Sequence, residues 1–329
     1  MELRAWYAAL CAGIVGLMGC GDSSGQNQNS GAGASGPGSG GTAGGGQGQG
    51  GDSFGGQGGD PFGSGNGSGN GSGSGNGGVG GNGNTSGCEH VDVVFALDNS
   101  SSMDEEKASM RDVVFPAFAQ ALLQISGIKD FRAAVIDACP LPANFHTRGA
   151  AGECSFQSQK AWMESTSSEL TSEFQCAADL YAEDVECSGD SDDEQPASAV
   201  AAALEPPFST AENAGFLRDD ALLVVVAITD EDEQPVPSQR PQQIHDRLVA
   251  AKGGEAKNVV FLGIGGREDC DGAYGSADEA DNLQRLVDTF AADERGFFWD
   301  LCEGRLEDGL TNALSAIEEA CTEFVPTVN

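Results

Sequence analysis

The sequence predicts an α/β fold: a doubly wound, mostly parallel sheet flanked by helices and carrying disulfides. Three observations lead there. Two runs, Val91–Leu97 and Ala221–Thr229, are almost continuously apolar and rich in β-branched residues, the pattern of a parallel strand buried on both faces. Helix-period stretches separate the strand-like runs, and such alternation implies a sheet covered on both sides. Eight cysteines share that region, an even number that reads as disulfides in an exported chain.

Each element follows in order. After the strand at Val91–Leu97, Glu105–Ile125 reads as a helix with Val113, Val114, Ala117, Ala121 and Leu122 along one face and Pro116 as a kink. Phe131–Ile136 is a second strand. Residues 139–194 are irregular and cysteine-bearing, with a helix around Ser168–Tyr181. Pro196–Leu204 is a short alanine-rich helix with proline in its first turn. Ala221–Thr229 is the strongest strand signal. Helix Gln239–Ala251, strand Asn258–Ile264, helix Ala277–Ala291, strand Gly296–Trp299 and helix Leu306–Ala320 complete the series. Trp162 and Trp299 read as core or rim aromatics.

The chain has 329 residues, with 51 acidic against 16 basic side chains and 49 glycines. Residues 21–87 hold 31 of the glycines, without the three-residue period of collagen. Their bulky apolar residues are Phe54, Phe62 and Val79, too few to offset the entropy of ordering the chain. This segment is expected to be a disordered linker, with an end-to-end distance of roughly 45 Å as a coil. Residues 88–324 are the expected folded domain and 325–329 a short tail. From residue 88 onward there are 47 acidic and 15 basic residues, a charge of −32. Nucleic acid is therefore not an expected partner, because phosphate binding needs a basic face, and electrostatic docking on an anionic membrane is disfavoured likewise.

Residues 1–20 carry a weakly positive start and an apolar run, Ala5–Met18, too short for a resident membrane helix. The run ends in Leu17-Met18-Gly19-Cys20, which resembles the lipobox of bacterial lipoproteins. The resemblance implies a signal peptide, lipidation of Cys20 and anchoring in the cell envelope. Gly21 after the cysteine implies the outer membrane. Several acyl chains on one residue anchor stably where one is marginal. The linker then serves as a tether lifting the domain off the lipid.

Cys88, Cys139, Cys154, Cys176, Cys187, Cys270, Cys302 and Cys321 allow 105 pairings. Pairing neighbours suggests Cys139–Cys154, Cys176–Cys187 and Cys270–Cys302, with Cys88–Cys321 joining the ends. No C-x-x-C occurs, which argues against a zinc ribbon or a thiol oxidoreductase.

In parallel sheets ligands bind beyond the carboxyl ends of the strands. After the first strand comes Asp98-Asn99-Ser100-Ser101-Ser102-Met103, a D-x-S-x-S; after the strongest comes Asp230-Glu231-Asp232-Glu233. Asp98, Ser100, Ser102 and Asp230 offer two carboxylates and two hydroxyls at one sheet edge. Such hard oxygen ligands suit Mg²⁺ best, with Mn²⁺ or Ca²⁺ as alternatives. Few charged ligands leave residual positive charge, and an open position could accept an acidic side chain of a protein ligand. Ser102 and Glu105 also fit an S-x-x-E capping box. The acidic runs Asp190–Glu194 and Asp230–Glu233 read as solvated surface or auxiliary calcium ligands. His90, His146 and His245 are scattered and are not expected as ligands.

Here the chain resembles the von Willebrand factor A domain and its metal-ion-dependent adhesion site. Leu97–Met103 stands where the family has its first metal loop and Ile228-Thr229-Asp230 where it has its last; the resemblance spans about 88–324. It implies a Rossmann-like domain that binds a protein ligand through a divalent cation. The family's middle loop usually supplies a threonine; this chain has Ser188–Gln195 there, and Ser191, Asp193, Glu194 or Ser198 could stand in. A carboxylate would hold the metal more tightly and make it a poorer acceptor. The alternative to an adhesion module is a disulfide-stapled envelope module whose metal only stabilises loops.

A metal-dependent hydrolase comes third, and a non-enzyme is expected. Aspartyl phosphatases have Asp where this chain has Ser100, and no strand is followed by Gly-x-Ser-x-Gly. There is no P-loop lysine motif, and Gly263-Ile264-Gly265-Gly266 lacks the dinucleotide pattern.

Overall fold

The two strongest strand signals lie side by side at the centre of the sheet. In the computed structural model, which describes residues 87–180, 194–233, 241–272 and 275–326, β1 (His90–Leu97) leads through a 3-10 turn into α1 (Asp104–Ser109), a π-helical turn (Met110–Val114) and α2 (Phe115–Leu122). Then come β2 (Asp130–Asp137), β3 (Arg148–Gly149), β4 (Gly152–Glu153), β5 (Met163–Glu164), α3 (Leu170–Ala177) and α4 (Pro196–Ala203). The chain continues with β6 (Ala221–Ile228), α5 (Pro241–Ala251), β7 (Val259–Gly265), β8 (Cys270–Gly272) and β9 (Gly275–Ala277). It closes with α6 (Asp281–Ala291), β10 (Gly296–Asp300) and α7 (Leu306–Glu323). The main sheet runs β10-β7-β6-β1-β2-β5, parallel throughout except for the antiparallel edge strand β5. Among the described residues no helix is long and apolar enough to cross a membrane.

Period-two alternation divides the strands between two hydrophobic layers. Val91, Val93, Phe95 and Leu97 of β1 pack with Leu222, Val224, Val226 and Ile228 of β6 in the layer that includes residues of α2 and α7. Val94 and Ala96 pack with Leu223, Val225 and Ala227 in the layer that includes α4, α5 and α6. This explains the unbroken apolar runs, since both faces of each central strand are buried. The kink expected at Pro116 takes the form of the π-helical turn just ahead of it, where a proline lacks the N–H for regular pairing. Gly296 admits α6 closely: a Cβ there would lie 2.1 Å from the Val287 carbonyl oxygen.

Several expectations are corrected. The helix expected over Ala277–Ala291 begins at Asp281, because Gly275–Ala277 pairs with Cys270–Gly272 as a hairpin. The helix expected around Ser168–Tyr181 is confined to Leu170–Ala177, and Tyr181 lies outside the described residues. Cys154 bonds to Cys176, which displaces the neighbour pairings Cys139–Cys154 and Cys176–Cys187. The β3–β4 hairpin doubles the chain back so that Gly149 sits against the Cys176 carbonyl, and Cys154 meets α3. Cys139 is also disulfide-bonded, and Cys187 lies outside the described residues. Cys88–Cys321 and Cys270–Cys302 are both bonded; the first ties the start of β1 to the end of α7. The expected lipid site Cys20, the expected signal peptide and nearly all of the expected linker also lie outside the described residues.

At the amino end of the sheet a buried charge cluster is fully answered. Asp92 is completely buried and accepts from Arg218 through its backbone N–H (2.7 Å) and Nε (2.8 Å). Arg218 also reaches Asp130, which His90 contacts at 2.9 Å, and its Nη2 donates to the Val91 carbonyl. The buried Lys252 donates to the Arg218 carbonyl. Removing one partner of such a pair strands a charge in the core. Arg218→Met is expected to cost about 3–5 kcal/mol in urea unfolding; a loss below about 1 kcal/mol would show that Asp92 finds other compensation.

Candidate metal centre

The register of β1 with β6 pairs Leu97 with Ile228, so Asp98 and Thr229-Asp230 emerge next to each other at the carboxyl edge. Asp98 N–H donates to the Ile228 carbonyl at 3.0 Å, extending the ladder one residue. Asp98 and Thr229 are fully buried and Asp230 is 6% exposed. The Ser100 N–H donates to Asp98 Oδ1 (2.7 Å) and the Thr229 hydroxyl to Asp98 Oδ2 (2.9 Å), which fixes the plane of that carboxylate. The Ser100 and Ser102 hydroxyls lie 2.9 Å apart, and Ser102 and Asp98 both stand close enough to the Asp230 carboxyl to shift its pKa. The structure thus brings together all four side chains expected from the sequence. Lys107 secures the loop by donating to the Asn99 carbonyl, Asn99 Oδ1 and the Ser100 carbonyl.

Ser102 and Glu105 form no capping box: Ser100 and Met103 occupy the cap positions of the 3-10 turn and α1, and neither carries a side-chain cap. The Ser102 hydroxyl lies against that of Ser100 instead.

The electrostatics are those of an unneutralised acidic site. Burial, opposed by the Ser102 hydrogen bond but aided by the Asp98 charge, pushes Asp230 up to about 6. Its Oδ1 is buried without a hydrogen-bond partner. Glu194 is pushed up to about 8 by burial and by the charges of Asp98, Glu231, Asp230 and Asp137. Among the described residues no lysine or arginine forms an ion pair with Asp98, Glu194 or Asp230. Hard oxygen donors, an orphaned carboxylate oxygen and unanswered negative charge fit a divalent cation held by Asp98, Ser100, Ser102 and Asp230. Among the described residues no three His, Cys, Asp or Glu side chains close on one point. Glu194 stands close enough to Asp98 and Asp230 for their charges to favour its protonated form. Ser191 and Asp193 lie outside the described residues.

Ser198, the remaining candidate for the middle loop, is committed elsewhere. Its hydroxyl donates to Glu233 Oε1 at 2.6 Å, and its N–H and that of Ala197 donate to the two Glu233 oxygens at 2.9 and 2.8 Å. Glu233 thus caps α4, which has no side-chain cap of its own. Asp232 does the same for α6, accepting from the N–H groups of Asn282 (2.8 Å) and Leu283 (3.3 Å). So Asp232 and Glu233 are engaged within the fold instead of forming solvated surface; they tie the loop after β6 to two helix ends. One signal for this was present in the sequence: neither Gln195-Pro196 nor Ala280-Asp281 places Ser, Thr, Asp or Asn just before the helix.

Burial also pushes Glu233 up, to about 7, against the three hydrogen bonds that favour its charged form. A carboxyl raised above its ordinary value adds stability at low pH that is lost as pH rises through the folded value. Glu233→Gln cannot ionise. The Tm of the parent protein relative to this variant is therefore expected to fall between about pH 4.5 and about pH 7 and then level off. A difference that stays constant over that window would refute the assignment.

Neither the protein-family models nor the curated proteins include a match to this chain. Among solved structures it is similar to proximal thread matrix protein 1 from the mussel byssus, in two structures with TM-scores of 0.37 and 0.35 and identities of 13% and 16%. These cover 70% and 71% of this chain, and 49% and 47% of the mussel chain. It is also similar to the open conformation of the pilus adhesin SpaC from Lactobacillus rhamnosus GG, with a TM-score of 0.37, 10% identity, 71% of this chain and 30% of that one. The chain thus spans half or less of the length of these proteins, and likenesses at these scores carry no argument about function.

Proposed function

We propose that this chain is an envelope lipoprotein, tethered through Cys20 and residues 21–87, whose von Willebrand factor A-like domain binds a protein ligand through a divalent cation. The observation that carries the reading is the meeting of Asp98, Ser100, Ser102 and Asp230 at the carboxyl edge of β1 and β6, with Asp230 Oδ1 left unpartnered. The order of helices and strands supports it, as does the six-stranded sheet with one antiparallel edge strand. A bound divalent cation would supply a Lewis-acidic position for an acidic side chain of the partner. The chain's own residues do the positioning: Thr229 and the Ser100 N–H orient Asp98, and Asp232 and Glu233 pin the loop that carries Asp230.

One observation favours a second reading, in which the cation only stabilises loops. Glu194 stands as a third carboxyl beside Asp98 and Asp230; a cation that displaced its proton would gain a third charged group and have less attraction left for a further acid.

Titration of the full chain with Mn²⁺, followed by calorimetry and water-proton relaxation, separates these readings. One cation per chain with exchangeable bound water, displaced by a blocked aspartate peptide, is the result expected for an open, partner-accepting site. Binding without exchangeable water would establish the purely structural reading. Asp98→Ala is expected to weaken the cation by more than the roughly 10–100-fold typical of losing an outer-shell partner. Unchanged affinity in that variant would overturn both readings.

A further inference from the structure

We propose that Lys107 decides which divalent cation the candidate centre prefers: its ammonium group holds the Asp98–Ser102 loop at a spacing that suits Mg²⁺ and is too tight for Ca²⁺. The inference rests on the proposed function and assigns the selectivity of that same site to a residue outside its ligand set.

The ammonium group is surrounded by oxygen. Lys107 Nζ lies 3.2 Å from the Asn99 carbonyl, 3.1 Å from Asn99 Oδ1, 3.0 Å from the Ser100 carbonyl and 3.1 Å from Asp104 Oδ1. The side chain is 14% exposed, so little water competes for these contacts. Acceptors gathered around one point suit the three donors of an ammonium; a planar guanidinium does not reproduce them. Asn99 keeps Oδ1 on Lys107 although its own Nδ2 is buried without a partner. A buried donor left unsatisfied is costly, which makes the Lys107 contact the one that this turn is built around.

The contact reaches the ligand atoms through the backbone. The Asn99 carbonyl and the Ser100 N–H belong to one planar peptide and point opposite ways. With the carbonyl on Lys107, the N–H is turned to Asp98 Oδ1, which it meets at 2.7 Å. The Ser100 carbonyl, also on Lys107, belongs to the next peptide, so both planes flanking Ser100 are held. That fixes where the Ser100 hydroxyl stands, 2.9 Å from the hydroxyl of Ser102.

This spacing discriminates between ions. Neighbouring oxygens of an octahedron lie √2 bond lengths apart, about 2.8–3.0 Å around Mg²⁺ and about 3.3–3.7 Å around Ca²⁺. The serine pair already has the smaller spacing. Ca²⁺ would have to spread the two hydroxyls and pull the loop away from Lys107. The positive charge of Lys107 opposes both ions alike, since they carry the same charge, and so it cancels from the ratio of their affinities.

The test uses the full chain, stripped of metal with a chelator and titrated calorimetrically with Mg²⁺ and with Ca²⁺. Lys107→Met is expected to lower the ratio of Mg²⁺ to Ca²⁺ affinity roughly tenfold or more, within the range for losing an outer-shell partner. Lys107→Arg keeps the charge and is expected to lower the ratio in the same direction. It also carries the test if the methionine variant does not fold. In the metal-free state the Ser100 amide is expected to exchange with deuterium faster in either variant than in the parent chain. A ratio equal to the parent's in both variants, whether or not both affinities fall, would overturn the Lys107 assignment and leave the cation reading standing. A parent chain that binds neither ion would overturn the cation reading and this inference with it.

Discussion

The in-register parallel pairing of β1 with β6 is the constraint on which the rest of the molecule depends. It runs from His90 opposite Ala221 to Leu97 opposite Ile228, and all but the first of these sixteen residues are buried. A slip of one residue would exchange the side chains of the two hydrophobic layers. It would also separate Asp98 from Asp230, because the site exists only where the two strands end level. The apolar burial that stabilises the sheet and the geometry of the candidate centre are thus set by the same register. The loop after β6 is then braced by carboxylates, Asp232 on α6 and Glu233 on α4, which turns two helix ends into anchors for Asp230.

The two ends of the sheet treat buried acids in opposite ways. At the amino end, Asp92 and Asp130 meet Arg218 and His90, with Lys252 close behind, so every charge has an answer within the fold. At the carboxyl end, Asp98, Glu194 and Asp230 face one another, and among the described residues no lysine or arginine forms an ion pair with them. Burying like charges without compensation is costly, and such an arrangement marks sites that complete themselves with something from outside. That contrast within one molecule is a stronger argument for a cation than the acidity of the chain as a whole. A net charge of −35 says only that the surface is acidic.

The candidate metal loop was legible because it follows a buried strand, and strand ends of parallel sheets converge on one edge. The capping roles of Asp232 and Glu233 were far less so. In sequence they belong to one acidic run with Asp230, yet the three residues serve three different elements. Ser198 is a parallel case: its type and position suited a metal ligand, but Glu233 claims its hydroxyl. The Asp137–His146 pair left no local trace, since the partners are nine residues apart across an irregular turn.

Local pattern alone determined the alternation of strands and helices and placed four oxygen-bearing residues at the strand ends. Those features depend on side-chain type and short-range periodicity, which any stretch of sequence displays. Tertiary structure decided which cysteines pair, as Cys154–Cys176 shows, and which acids cap helices and which stand exposed to one another's charge. The physical reason is that these outcomes are settled by distance in space. Such distances arise only once a hairpin turns, a sheet orders its strands and a loop is pinned between two helices.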